Sequence, residues 1–239
     1  MQKHVWSFIL SSRFLLCKLT IHIQVDKLVD RLGDYEEKKQ ATDLHLAFRS
    51  VALDIITSFC FAKTFNALDA PDFSHHVPVT MDLTLRMAWI MKHFPFLRTL
   101  VDNTPEWIGT RLMPSTKGYF DQANQLQGQI DEIMKNPSIL KDSPHETMYH
   151  HIIENAEKNK TGLPQLNKRW LLHEGLNLRF AGSETLGNTC STAAYYILND
   201  HHVKRTLMKE LEDAWPDINA PCGLEKLEKL AYLVSDFAF

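Results

Sequence analysis

Strand signals are almost missing from this chain of 239 residues, and so are runs of charge of one sign. The first absence points to an all-α fold, because the apolar residues recur at helical rather than alternate spacing. The second, with a net charge of −3, gives no footing for nucleic acid or an anionic surface as partner. Cysteine is scarce. Cys17, Cys60, Cys190 and Cys222 show no CxxC spacing, which argues against a disulfide framework in a chain this long and favours a reducing compartment. The sequon Asn159-Lys160-Thr161 is then without meaning. Lys3, Arg13 and Lys18 punctuate the apolar amino terminus, leaving no run near the roughly 20 residues a membrane helix needs and no convincing signal peptide. There is no internal repeat, nucleophile elbow, phosphate loop or dinucleotide fingerprint, so hydrolase and nucleotide chemistry have no support.

Histidine is plentiful, at 12 residues, yet the pairs His75-His76, His150-His151 and His201-His202 point about 100° apart on a helix and do not share an ion easily. His145-Glu146-Thr147-Met148-Tyr149-His150 misses the zinc-protease HExxH by one residue, which turns the second histidine to another face. No protein metal site is expected.

With 44% apolar residues the chain can bury a substantial core. Its longest element is predicted over 168–199, with Asn167 as cap and the turn signal Thr161-Gly162-Leu163-Pro164 just before it. Gly175, Gly182 and Gly187 each cost about 1 kcal/mol inside a helix, so close approach of another body must compensate. Gly175, Leu178, Gly182, Thr185, Thr189 and Ala193 form one narrow stripe, with Glu184 at its flank. Two readings fit. Glu184 and Thr185 are a short acid and alcohol relay that passes protons to something lying in a groove. Alternatively, the glycines admit a crossing helix, Thr185 bonds back to a carbonyl one turn earlier, and Glu184 meets a surface lysine.

The other helices are plainer. Ile21, Val25, Leu28, Val29 and Leu32 mark one face of a packing helix. Asp43 caps a second, which buries Leu44, Phe48, Val51, Ala52, Ile55, Ile56 and Phe59. Prolines divide residues 68–114 into short helices crowded with Met81, Met87, Trp89, Ile90, Met91, Phe94, Phe96, Leu97 and Trp107, a cluster that reads as plain core or as pocket lining. Helices over 115–134, with Phe120, Leu126, Ile130, Ile133 and Met134 inward, and over 145–156 follow.

The run Phe180-Ala181-Gly182-Ser183-Glu184-Thr185-Leu186-Gly187-Asn188-Thr189 resembles the central helix of the cytochrome P450 haem-thiolate monooxygenases, whose pattern is Ala/Gly-Gly-x-Asp/Glu-Thr. The helix signal from Asn199 through Leu211, the Trp215-Pro216-Asp217 turn, the approach from Leu224 to Leu233 and the segment from Asp43 to Thr57 extend that resemblance to most of the chain. It is similar above all to fungal members of the trichodiene-oxygenase kind. The resemblance implies one partial domain over 1–239, the helical part of the P450 fold around one long central helix, with the small sheet missing. It implies haem (heme) as cofactor, an apolar small-molecule substrate such as a terpenoid, and an NADPH-dependent reductase as partner. Membrane contact through residues 81–113 is also implied, with the full-length parent on the cytoplasmic face of the endoplasmic reticulum and this anchorless chain cytoplasmic. Glu184 and Thr185 would deliver protons, while Ala181, Gly182 and Thr189 would shape the groove over the haem.

Departures from the family pattern matter as much. Trp6 stands near the place of a haem-propionate contact, but Leu10 occupies the place of its arginine partner. None of the four cysteines lies in the family's glycine- and arginine-containing ligand loop, and the Glu-x-x-Arg helix would fall near position 239. A truncated chain, inactive alone, is expected; a non-catalytic helical scaffold is the alternative.

Overall fold

The computed structural model describes residues 14–112, 114, 117–143, 145–158, 167–217, 220 and 222–235. The expectations on Trp6, the 161–164 turn, the 159–161 sequon, the Met81 side chain and residues 236–239 lie outside the described residues. Every long element is a helix and no strand occurs among the described residues, as an all-α fold requires. The chain forms two compact units, Met1–Gly187 and Asn188–Phe239.

In the first unit, α1 (Phe14–Glu37) packs beside α2 (Leu44–Phe61). Asp43 starts α2 as expected, its carboxylate accepting from the amides of His45 and Leu46. Ala62 ends it in the left-handed conformation at φ 51°. The stripe that α1 buries is Leu28 with Leu32 and Tyr35, set against Ala47, Val51, Leu68 and Phe73. Ile21, Val25 and Val29 are instead 39%, 38% and 60% exposed, a correction to the expected packing face. Ile21 and Val25 lie seven residues before Leu28 and Leu32 on the same stripe, and Val29 lies one step round the helix from Leu28; periodicity reports which side is apolar, not how much of it a neighbour covers.

Buried polar groups fasten the turn after α2. Asp54, fully buried, accepts from the Thr64 hydroxyl and from the amides of Ala67 and Leu68 at 2.9 to 3.0 Å. Burial pushes its carboxyl above the usual range while those three donors pull it back. Arg31 of α1 donates to the Leu68 and Ala70 carbonyls and lies over the Phe73 ring.

Prolines mark the next boundaries: α3 (His76–His93), α4 (Pro95–Asp102) and α5 (Glu106–Leu112), the last entered through Pro105. Their aromatic residues are not core, since Trp89, Phe96 and Trp107 are 61%, 67% and 69% exposed. Then come α6 (Lys117–Lys135) and α7 (Met148–Lys158). The main core joins Leu126, Ile130 and Ile133 of α6 to Met148, Tyr149, Ile152 and Ile153 of α7, Phe59 to Phe61 of α2, and Leu171. Phe120 and Met134 are only half buried. α6 meets α3 where Gly118 lies under Thr80; a Cβ there would stand 2.4 Å from the Thr80 hydroxyl and 2.7 Å from the His76 carbonyl.

Leu171 belongs to α8 (Lys168–Asn199), the predicted longest element, and Asn167 caps it by accepting from the amides of Arg169 and Trp170. Its 32 residues run about 48 Å. In the second unit the end of α8 leads to α9 (His201–Ala214), capped by Asp200, and to the short helices α10 (Leu224–Leu227) and α11 (Ala231–Ser235). Glu210 of α9 accepts from the amides of Tyr232 and Leu233, closing the start of α11.

Candidate functional site

The middle of α8 carries the candidate residues, and its glycines explain how its neighbours approach it. A Cβ on Gly175 would stand 3.1 Å from Leu126 of α6, one on Gly182 would stand 2.6 Å from Ile56 of α2, and one on Gly187 would stand 2.6 Å from Arg49. The close approach inferred from three costly glycines is therefore contact with α2 and α6. Gly182 is half buried under Ile56.

Glu184 points the same way as Gly187. It is buried at 6% exposure, and its Oε1 accepts from Arg49 Nη2 of α2 at 2.5 Å. The partner is thus a buried arginine rather than a surface lysine. Thr185 lies 100° round the helix and is exposed, with its hydroxyl donating to the Ala181 carbonyl at 2.7 Å. Ser183 makes the same back-bond to Arg179 at 2.6 Å, so two successive hydroxyls are tied to the helix that carries them. Ala181 is exposed beside Thr185. In the second unit Thr189 is exposed. The structure thus brings Ala181 and Thr185 onto one open face, turns Glu184 into the packed side about 100° from Thr185, and leaves Gly182 half buried under Ile56.

A second buried arginine sits one turn earlier. Arg179 is 1% exposed, its guanidinium lying 4.8 Å from the Phe61 ring and 4.7 Å from the Phe65 ring. It donates to the Gln122 carbonyl, whereas its Nε and Nη2 meet no hydrogen-bond partner among the described residues. Burial lowers its pKa to about 10. Two cation–π contacts offset part of the desolvation of a guanidinium, and that desolvation amounts to several kcal/mol. Arg179→Met keeps the volume and offers sulfur to the same rings. It is expected to leave stability within about 1 kcal/mol of wild type in urea unfolding; a loss above roughly 3 kcal/mol would show the cation to be a net stabiliser.

Among the described residues no group of three or more His, Cys, Asp and Glu is placed to hold a metal. Cys60 is buried, and Cys190 and Cys222 are partly so, the Cys190 thiol being pushed up by burial. The first unit has an open surface hollow bordered by Arg31, Tyr35 and Asp72, and the second has one bordered by Thr206, Glu210 and Tyr232.

An apolar-cored helical unit with small and hydroxyl side chains exposed at mid-helix is common to many folds, and comparison with known proteins decides between them. The family model described as cytochrome P450 matches residues 14–235. The chain belongs to the cytochrome P450 family. It is similar to the cytochrome P450 monooxygenases orf3 and orf6 of Eupenicillium brefeldianum, at 32% identity over 89% of this chain and 41% of the relative, and at 30% over 96% and 45%. It is also similar to the N-acetyltryptophan 6-hydroxylase ivoC of Emericella nidulans, at 25% identity over 94% of this chain and 44% of the relative. The chain spans less than half the length of each of these P450 relatives. Monooxygenase chemistry is the activity of the family, and haem is the cofactor it implies.

Sequence reasoning missed Arg49 and Arg179. The signal for Arg49 was present: it interrupts the inward run Ala47, Ser50, Val51, Leu53 of α2, and a charge in that register needs a counter-charge on the facing helix.

Proposed function

We propose that this chain forms the helical, distal-side part of a fungal haem-dependent monooxygenase that takes electrons from an NADPH-dependent reductase and inserts one oxygen atom into an apolar small molecule. The observation that carries the reading is the open face of Ala181 and Thr185 in the middle of α8. Small side chains there leave room for a flat ring, which fits one wall of a haem site. Of the cysteines described, Cys60 is enclosed in the core and would not hold the iron of a haem lying against the open face. When bound, haem supplies the oxygen-activating chemistry.

The chain's own part is proton handling. Thr185 Oγ1 donates to the Ala181 carbonyl, so it passes a proton outward only by exchanging that bond. Glu184 is the carboxylate one residue away, held by Arg49 on the packed side. Ala181 and Gly182 shape the groove of the first unit in this reading. The exposed Trp89, Phe96, Trp107 and Leu112 suit an apolar substrate or the endoplasmic reticulum membrane, where the full-length parent would sit on the cytoplasmic face. A scaffold role draws support from the Arg49 and Glu184 pair, which gives the motif's carboxylate a packing task.

Haem titration of the purified chain tests both. Binding visible in the haem absorption band, lost in Ala181→Trp at unchanged helicity, is expected; equal binding by both proteins, or none by either, counts for the scaffold. After reduction and carbon monoxide, no thiolate-type band is expected, and its presence would overturn the proposed inactivity of these 239 residues.

A further inference from the structure

We propose that His75 is an acid-sensitive cap on α3: the neutral imidazole holds the first turn of that helix against α6, and protonation at Nδ1 releases it.

Local chemistry leaves the Val77 amide in the first turn of α3 without a partner inside the helix. His76, Val77, Pro78 and Val79 open the helix; Pro78 has no N–H, and the Val79 amide is taken by the His75 carbonyl at 3.3 Å. Val77 is fully buried, so its amide is out of reach of water, and it donates to His75 Nδ1 at 3.3 Å. Only a neutral ring with a lone pair on Nδ1 accepts that bond. A proton placed there turns the acceptor into a second donor facing the first.

The surroundings decide when this happens. The His75 ring lies 4.2 Å from the His76 ring and 5.7 Å from the Phe65 ring. The titratable groups facing it are His76 on its own helix and Asp121 of α6, whose carboxylate is 3.0 Å from His76 Nε2. Burial first and the neighbouring His76 second lower the His75 pKa from 6.5 to about 4, with Asp121 opposing. The folded state therefore binds this proton less readily than the unfolded chain. The cap's contribution is complete above about 6.5 and is lost as the pH falls toward 4. What it secures is a tight seam, since Gly118 of α6 lies against the His76 carbonyl and Thr80.

Hydrogen exchange read by mass spectrometry on a peptide covering residues 77–80 tests the proposal, with α2 peptides as internal reference and rates corrected for intrinsic pH dependence. Between pH 6.5 and 4 the wild type is expected to lose about tenfold in protection there, relative to α2. His75→Asn, a cap that does not titrate, is expected to keep its protection over the same range. His76→Gln removes the charge that disfavours protonation of His75 and is expected to move the loss to higher pH. Parallel loss in wild type and His75→Asn, or no loss in either, would overturn the proposal.

Discussion

Arg49→Ala is expected to destabilise the chain by about 3–5 kcal/mol, because it leaves the Glu184 carboxylate charged and enclosed without its guanidinium. The side chains of Arg49 and Glu184 are only 3% and 8% exposed, so neither ion recovers hydration when its partner is removed. Glu184→Ala is expected to cost a similar amount for the mirror reason. The double variant Arg49→Leu with Glu184→Leu removes both charges and returns apolar volume, so it is expected to lie within about 2 kcal/mol of wild type, far less than the sum of the single losses. Urea unfolding followed by helical circular dichroism measures all of these. A cycle in which the two single losses simply add would mean that the ions do not sense each other and that the pair is incidental. Glu184→Gln separates packing from charge: it keeps an acceptor for Arg49 Nη2, and a large residual loss there assigns the cost to the missing charge.

The same pair marks how far the sequence could be read. Caps were legible because their chemistry is local: Asp43 and Asn167 each accept from amides two and three residues on, as their positions ahead of periodic apolar runs require. The family motif from Ala181 to Thr189 located the candidate site, and the glycines announced a close neighbour. What the motif did not carry is direction. Whether Glu184 or Thr185 faces the open side depends on where α2 crosses α8, a long-range fact set by Ile56 and Arg49, 126 or more positions away in sequence. Exposure was illegible for a related reason. Val29 read as a packing position by its periodicity and Trp89 as core or pocket lining, and only the placement of neighbouring elements leaves them open.

Gly187→Ala carries the second large effect, and its sign runs against helix propensity. On an isolated helix alanine is about 1 kcal/mol better than glycine, and the same gain is expected for Gly128→Ala, where a Cβ meets nothing within 4 Å on the exposed side of α6. At Gly187 the added carbon would stand 2.6 Å from Arg49 Cγ, 3.1 Å from its Cα and 3.3 Å from its backbone nitrogen. A flexible side chain can swing away from the first contact; the backbone of α2 cannot yield to the other two without moving the helix. Moving it separates Arg49 from Glu184, so overpacking and loss of the ion pair act together, and a net loss of about 3 kcal/mol is expected. Comparing the urea midpoints of Gly187→Ala and Gly128→Ala checks this directly, since one chemical change is predicted to move stability in opposite directions. Combining Gly187→Ala with Arg49→Ala supplies the deeper test: with the arginine stem gone the obstruction at Cγ vanishes, and the double variant should lose clearly less than the sum of the two.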